Sequence, residues 1–181
     1  AEELLREVLR PFNRRRDVIQ VMRPREAEFT KLAISGMLAT RLSFMNDMAL
    51  LAENLAVDID RVRQGMGADS RIGEAYLYAG CGFGGPGFSR DVMSLTRALH
   101  RKAASAGLLE EVLEVNERQK EVLFRRFWQY FGGEVAGRRV ALWGVAFNPG
   151  SDRVANAPAL NLIEALAAQG VEIRVHDPLA L

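Results

Sequence analysis

Residues 24–56, PREAEFTKLAISGMLATRLSFMNDMALLAENLA, form one uninterrupted stretch around which the rest of the chain is arranged. Pro24 suits a first helical position, because its missing N–H would be unbonded there in any case. Glu26 and Glu28 follow where the helix dipole favours negative charge. No further proline interrupts the run, and Gly36 is its single glycine. At about 1.5 Å per residue the helix would be roughly 45–50 Å long. Between Leu32 and Leu51 only Arg41 and Asp47 carry charge. A helix that is apolar nearly all round is a buried helix. Small residues (Ala33, Ser35, Gly36, Ala39, Thr40, Ser43) would let neighbouring helices approach closely. A chain of 181 residues has little material to cover both ends of such a rod, so a second copy of the chain is the expected cover. Arg41, Asn46 and Asp47 interrupt the apolar run and argue against a membrane span, despite adequate length.

Composition sets wide bounds. Hydrophobic residues make up 49% and charged residues 26%, which places the chain among ordinary globular proteins. A net charge of +1 gives no reason to expect nucleic acid or an anionic membrane as partner. The one cysteine, Cys81, excludes an internal disulfide and any multi-cysteine metal site. It fits a reducing compartment. The opening AEELLREVLR lacks the apolar core of a signal peptide, which points to a cytoplasmic protein.

Along the chain, Glu2–Arg16 carries a helix-period stripe of Leu4, Leu5, Val8, Leu9 and Phe12, with Pro11 as its break. Asp17–Met22 (DVIQVM) reads as a short strand, because β-branched residues dominate it. After the long helix, Asp58 or Asp60 can cap a short helix through about Met66, and Ile72–Tyr78 reads as a further helical piece. Ala79–Asp91 (AGCGFGGPGFSRD) is dense in glycine and must be loop. Helices resume over 89–104 and over 108–131, the second stopped by Gly132 and Gly133. The character then changes. A strand over 139–144, a helix over 158–169 and a strand over 171–176 make a βαβ unit with parallel strands. Two parallel strands do not make a stable domain, so both ends of the chain read as pieces of larger α/β domains around a helical core.

Five stretches together resemble the UDP-glucose/GDP-mannose dehydrogenase family. AEFTKLAISGMLATRLSFMND is similar to its central-helix pattern, GADSRIG to its GxDxRIG turn, and GFGGPGFSRD to its GYGGSCFPKD loop. LEVNERQKEVL, with VALWGVAFNPGSDRVANAPALNLIEAL, resembles its following helix and its AFKPxTDDxRESPALxII segment. The resemblance implies a mainly α fold: a helical dimerisation domain, similar to the C-terminal domain of 6-phosphogluconate dehydrogenase, built on one long central helix and flanked by partial Rossmann-type pieces. Residues 1–22 would be the end of an NAD-binding-type domain, 23–133 the dimerisation domain, and 134–181 the start of a nucleotide-sugar-binding domain.

The family oxidises a UDP-sugar at a primary alcohol to the uronic acid in two NAD-dependent hydride transfers, holding the aldehyde stage as a cysteine adduct. By resemblance, Lys31 holds substrate oxygen, or else its stem snorkels along apolar surface. Ser35 stands where the family has asparagine, one turn along the same face; helix packing explains a small residue there equally well. Asp91 matches the loop-end aspartate, and helix-end capping is its other reading. Arg71 matches an arginine that reaches a neighbouring subunit's nucleotide-sugar site; a surface salt bridge is the alternative. Phe83, Gly84 and Gly85 would line the substrate, the glycines by close backbone approach, though a plain loop turn also accounts for them.

Gly87 occupies the position of the nucleophilic cysteine and cannot form the adduct. Cys81 lies upstream of it and reads as a packing residue. Asn148 replaces the family's lysine, and Asp152, Arg153, Val154 and Ala155 stand for its DDxR. No G-x-G-x-x-G follows a strand, so NAD is implied by the family while its fingerprint is not found. No metal cluster is expected. The sequence therefore predicts a homodimer with a possible UDP-sugar site and no oxidation of its own: a fragment or degenerate member of the family. An assembly protein and a hydroxyacid-dehydrogenase-type helical domain are the alternatives.

Overall fold

The computed structural model describes residues 2–13, 18–102 and 105–180. It is mainly helical. In chain order the elements are α1 (Glu2–Leu9), a 3-10 turn (Arg10–Phe12), α2 (Pro24–Asn54), α3 (Ile59–Ala68), α4 (Phe88–Lys102), α5 (Gly107–Lys120), α6 (Val122–Tyr130), β1 (Arg139–Trp143), α7 (Pro158–Ala168) and β2 (Glu172–His176). No helix among the described residues is long and apolar enough to cross a membrane.

The long helix starts as expected. Pro24 opens α2, and the Glu26 carboxylate accepts the Arg23 backbone N–H at 2.9 Å. Its burial is one-sided. Ser35, Gly36, Ala39, Ser43 and Asn46 are buried on the face against α4 and α5. On the opposite face Ile34, Met37, Phe44, Leu51 and Leu55 are exposed. The small side chains set the helix spacing: a β-carbon on Gly36 would lie 3.0 Å from Leu95 Cδ2 of α4. Ser43 Oγ donates to the Val112 carbonyl of α5 at 2.9 Å. Ala39, Phe83, Val92 and Val112 close the core between these three helices.

A second core lies further along the chain. β1 and β2 pair in parallel, with Arg139 opposite Glu172 and Trp143 opposite His176. Val140, Leu142 and Ile173 pack on Val135, Leu162, Leu166 and Val171, and Phe124, Phe127 and Phe131 of the α6 segment cover the same cluster. The helix expected over 108–131 is therefore two helices. The chain turns at Glu121, the Arg118 carbonyl takes up the Arg125 guanidinium at 2.7 Å, and the aromatic face of α6 is aimed at the second core.

Two further expectations are corrected. Residues 18–22 form no strand, since the sheet among the described residues consists of β1 and β2 and they do not join it; Asp17 lies outside the described residues, as do Arg14–Arg16 and Ala104 of the expected helices. Residues 72–78 are turn rather than helix, because Gly73 (φ 69°) and Tyr76 (φ 59°) are both left-handed. Arg41 of α2 holds this turn, donating to the Ile72 and Gly73 carbonyls at 3.0 and 2.7 Å.

Asp177, buried just after β2, ties the two strand ends together. One carboxylate oxygen accepts the N–H groups of Val145 and Ala146, the other those of Leu179 and Ala180. These backbone donors, led by Val145, hold its carboxyl well below the usual carboxylate range. A depressed folded-state value gives stability that is complete above the unfolded-state value, about 3.9, and is lost as pH falls below it. The stability gap between wild type and Asp177→Asn, read from urea midpoints, should be constant above about pH 5 and should shrink steadily below about pH 4. A gap that ignores pH would show that the carboxylate charge is not what holds these loops.

Candidate functional site

Lys31 lies in the second turn of α2 and Asp91 in the first turn of α4. The close helix approach at Gly36 brings them together, and Lys31 Nζ pairs with Asp91 Oδ2. The two partners differ in setting. The Lys31 side chain is 64% exposed and that of Asp91 12%. Ser35 Oγ lies 3.3 Å from the Lys31 carbonyl and 3.4 Å from Asp91 Oδ2. Lys31 and Ser35, one turn apart on α2, thus meet Asp91 from a distant stretch at one point.

The Gly87 carbonyl accepts the Asp91 N–H at 2.9 Å, which makes Gly87 the residue that opens α4. A β-carbon built at Gly87 would meet nothing within 4 Å, so room for a side chain exists. The absence of a nucleophile there is a matter of residue identity and not of crowding. Next to Gly87, Phe88 meets Phe83 edge to face at 5.1 Å and Tyr76 at 6.4 Å. These rings, with Leu42, Phe147 and Asn148, line a cavity of about 380 Å³ between the helical core and the segment after β1.

Gly84 and Gly85 are both packed close against protein, and Gly84 also lines that cavity. A β-carbon on Gly84 would lie 1.9 Å from the Asn156 carbonyl oxygen, and one on Gly85, at φ 91°, would lie 2.6 Å from the Phe147 ring. The Gly85 N–H donates to the Ala155 carbonyl at 3.1 Å. The two glycines are where the loop and the segment after β1 lock together. Neither will accept a side chain. Phe83 is buried in the first core and also lines the cavity.

Other sequence candidates stand apart. Arg71 is paired with Asp69 at 2.6 Å on an exposed turn, and that pairing lowers the Asp69 carboxyl and raises the guanidinium. Cys81 lines a separate cavity of about 350 Å³ with Glu53 and Arg126. Burial pushes its thiol up, against the opposing charge of Arg126, so it is held in the poorly nucleophilic protonated form. His100 pairs with Glu110. Among the described residues no group of His, Cys, Asp and Glu could hold a metal ion.

Of three buried amides only Asn46 was named from the sequence, as a break in the apolar run, and none was given a partner. Asn116 Oδ1 accepts the Phe83 N–H at 2.6 Å and its Nδ2 donates to the Phe83 carbonyl at 3.1 Å. Asn46 accepts the Gly80 N–H at 2.8 Å, and Gln119 donates to the Gly80 carbonyl at 2.7 Å. The only signal available was a polar amide at a position where helical periodicity demands an apolar side chain.

Comparison with known proteins gives a consistent picture. Residues 25–118 match the UDP-glucose/GDP-mannose dehydrogenase family, central domain, and residues 141–181 match the same family's UDP binding domain. The chain is 48% identical over 180 residues to the UDP-glucose 6-dehydrogenase of Pseudomonas aeruginosa, covering 99% of this chain and 40% of that one. It is 40% identical to UDP-glucose 6-dehydrogenase TuaD of Bacillus subtilis, over 86% of this chain and 33% of that one. It superposes with a TM-score of 0.88 on a UDP-glucose dehydrogenase from Pyrobaculum islandicum, at 35% identity, again over 99% of this chain and 40% of that chain. The chain therefore spans 40% or less of the length of these relatives.

The unequal burial of the ion pair sets an asymmetry that can be measured. Lys31→Met leaves a nearly buried carboxylate without its cation and should destabilise by about 1–3 kcal/mol. Asp91→Asn leaves a lysine free to reach water and should cost under about 1 kcal/mol. Urea denaturation of the two variants checks the order, and the reverse order would contradict the assignment of Asp91 as the buried partner.

Proposed function

Because this chain belongs to the UDP-glucose/GDP-mannose dehydrogenase family, we propose that it holds a UDP-sugar beside Lys31 and Asp91 and pairs with a second copy through α2. We propose further that it does not itself oxidise the sugar it holds. One observation carries the reading: Asp91, paired with Lys31, follows Phe88 of the aromatic-lined cavity by one turn of α4, with Gly87 where the family places its nucleophile.

The chemistry follows from what these residues can do. The Lys31 ammonium is exposed enough to turn from Asp91 to a sugar oxygen, and Asp91 orients it until then. Tyr76, Phe88 and Phe147 offer flat apolar surface to a ring, and Asn148 offers both a donor and an acceptor. With glycine at position 87 no covalent adduct can form at the start of α4. NAD is the family's oxidant, and the described residues do not fit it. The crossover from β1 reaches α7 only after residues 144–157, and α7 opens on Ala157 and Pro158 without the glycine run that a pyrophosphate needs. No oxidation step is therefore assigned to this chain. On this reading residues 23–133 supply assembly and the sugar end of the site, and residues 134–181 supply the nucleotide end.

The pairing surface is argued from α2. Ile34, Met37, Phe44, Met48, Leu51 and Leu55 recur in steps of three and four, interrupted by Arg41, along the face that α4 and α5 do not cover. That repeat is the seam of a helix pair. The same stripe supports the second reading, an assembly protein that holds no nucleotide.

Three experiments test these claims. Titration calorimetry with UDP-glucose and UDP-glucuronate should give heat, while incubation with UDP-glucose and NAD should give no NADH. Absence of heat at millimolar ligand would leave only the assembly reading, and NADH formation would refute the inactive one. In sedimentation the wild type should run as a dimer and the double variant Met37→Glu, Phe44→Glu as a folded monomer. A wild type that is already monomeric at micromolar concentration would remove the proposed interface.

A further inference from the structure

We propose that Asn116 is a positioning residue for the aromatic cavity: its amide holds the backbone of Phe83 and so fixes the wall on which a bound ligand rests. The proposal rests on the nucleotide-sugar reading of that cavity. Asn116 does not line the cavity, and its side chain is spent wholly on protein. It is 1% exposed on α5.

Residues 80–87 cross the helical core without entering any strand or helix, so their buried backbone groups need partners from elsewhere. A primary amide carries a donor and an acceptor side by side, and can stand in for a neighbouring strand over one residue. Asn116 does this for Phe83, satisfying both its N–H and its carbonyl. Asn46 and Gln119, reaching from α2 and α5, divide the same task at Gly80. The approach is close: Gly82 is left-handed, at φ 89°, and a β-carbon there would lie 3.0 Å from Asn116 Oδ1. A carboxylate lacks the donor, and a leucine lacks both groups.

The fixed loop has consequences at the cavity. Gly82, Phe83 and Gly84 are consecutive in its lining, and Phe83 sets the edge-to-face contact that places Phe88. On the far side Gly84 and Gly85 meet Asn156 and Phe147, so the wall is clamped at one end by α5 and at the other by the segment after β1. Removing the Asn116 amide frees the α5 end while leaving every lining side chain in the sequence.

The test uses UDP as probe, with the full chain. Asn116→Ala should weaken UDP binding by about tenfold or more in titration calorimetry, the scale of two hydrogen bonds lost from one loop position. Amide hydrogen exchange at Phe83 and Gly84 should speed up by a similar factor, while exchange in α5 and α7 holds. Leu109→Ala, which opens the helical core against Gly36 at a residue 8% exposed and outside the cavity lining, controls for general loss of stability and should bind UDP as the wild type does. Unchanged exchange at Phe83, or equal loss of affinity in Leu109→Ala, would overturn the proposal. So would faster exchange with undiminished UDP affinity, which leaves the nucleotide reading intact. No UDP heat from the wild type would overturn the nucleotide reading itself, and this proposal with it.

Discussion

The structure depends on how closely α2 can approach α4 and α5. Gly36, Ala39 and Ser43 present almost no side-chain bulk on that face, and Leu95 lies at the limit of contact with the Gly36 backbone. A larger residue at position 36 would push α4 outward. The Lys31–Asp91 pair would part with it, because each partner sits on one of the two helices. Close packing of this kind transmits a small change directly to neighbouring contacts. The ion pair is thus a consequence of the helix spacing, and adds to it only weakly, since Lys31 remains largely in water.

The loop from Gly80 to Gly87 is where the two cores are joined. Its backbone is taken up by amides of α2 and α5 on one side, and by the backbone of Ala155 and the Phe147 ring on the other. Glycine is required at 84 and 85 by this contact alone, before any ligand is considered. The cavity between the cores then has its shape determined by protein–protein packing. Asp177 performs the equivalent task from the other side, fixing residues 145 and 146 just ahead of Phe147 and Asn148.

Residue identity and space tell different stories at the start of α4. Gly87 has open room around it, and the one thiol of the chain lies elsewhere, half-buried and held protonated. A helix N-terminus lowers the pKa of a thiol placed on it. The chain has a helix start at Gly87 with a lysine–aspartate pair one turn on, and no thiol there.

Local patterning alone determined the long helix and its proline start, the short helix capped by Asp58, and the β1–α7–β2 unit with its parallel strands. Each of these is written in a period of apolar residues and a recognisable terminus, and needs no distant partner to be read. Lys31, Asp91 and Gly87 could be named beforehand only because the order of whole motifs resembles a family. What tertiary structure decided was everything that depends on a neighbour. DVIQVM has strand-forming residues, yet residues 18–22 form no strand, because a strand requires an edge. The 108–131 helix breaks at Glu121 because its aromatic face must turn to a second core. Asn46, Asn116 and Gln119 look like errors in an apolar face until the loop they hold is folded against them, since a hydrogen bond between residues 33 or more positions apart leaves no mark on local periodicity.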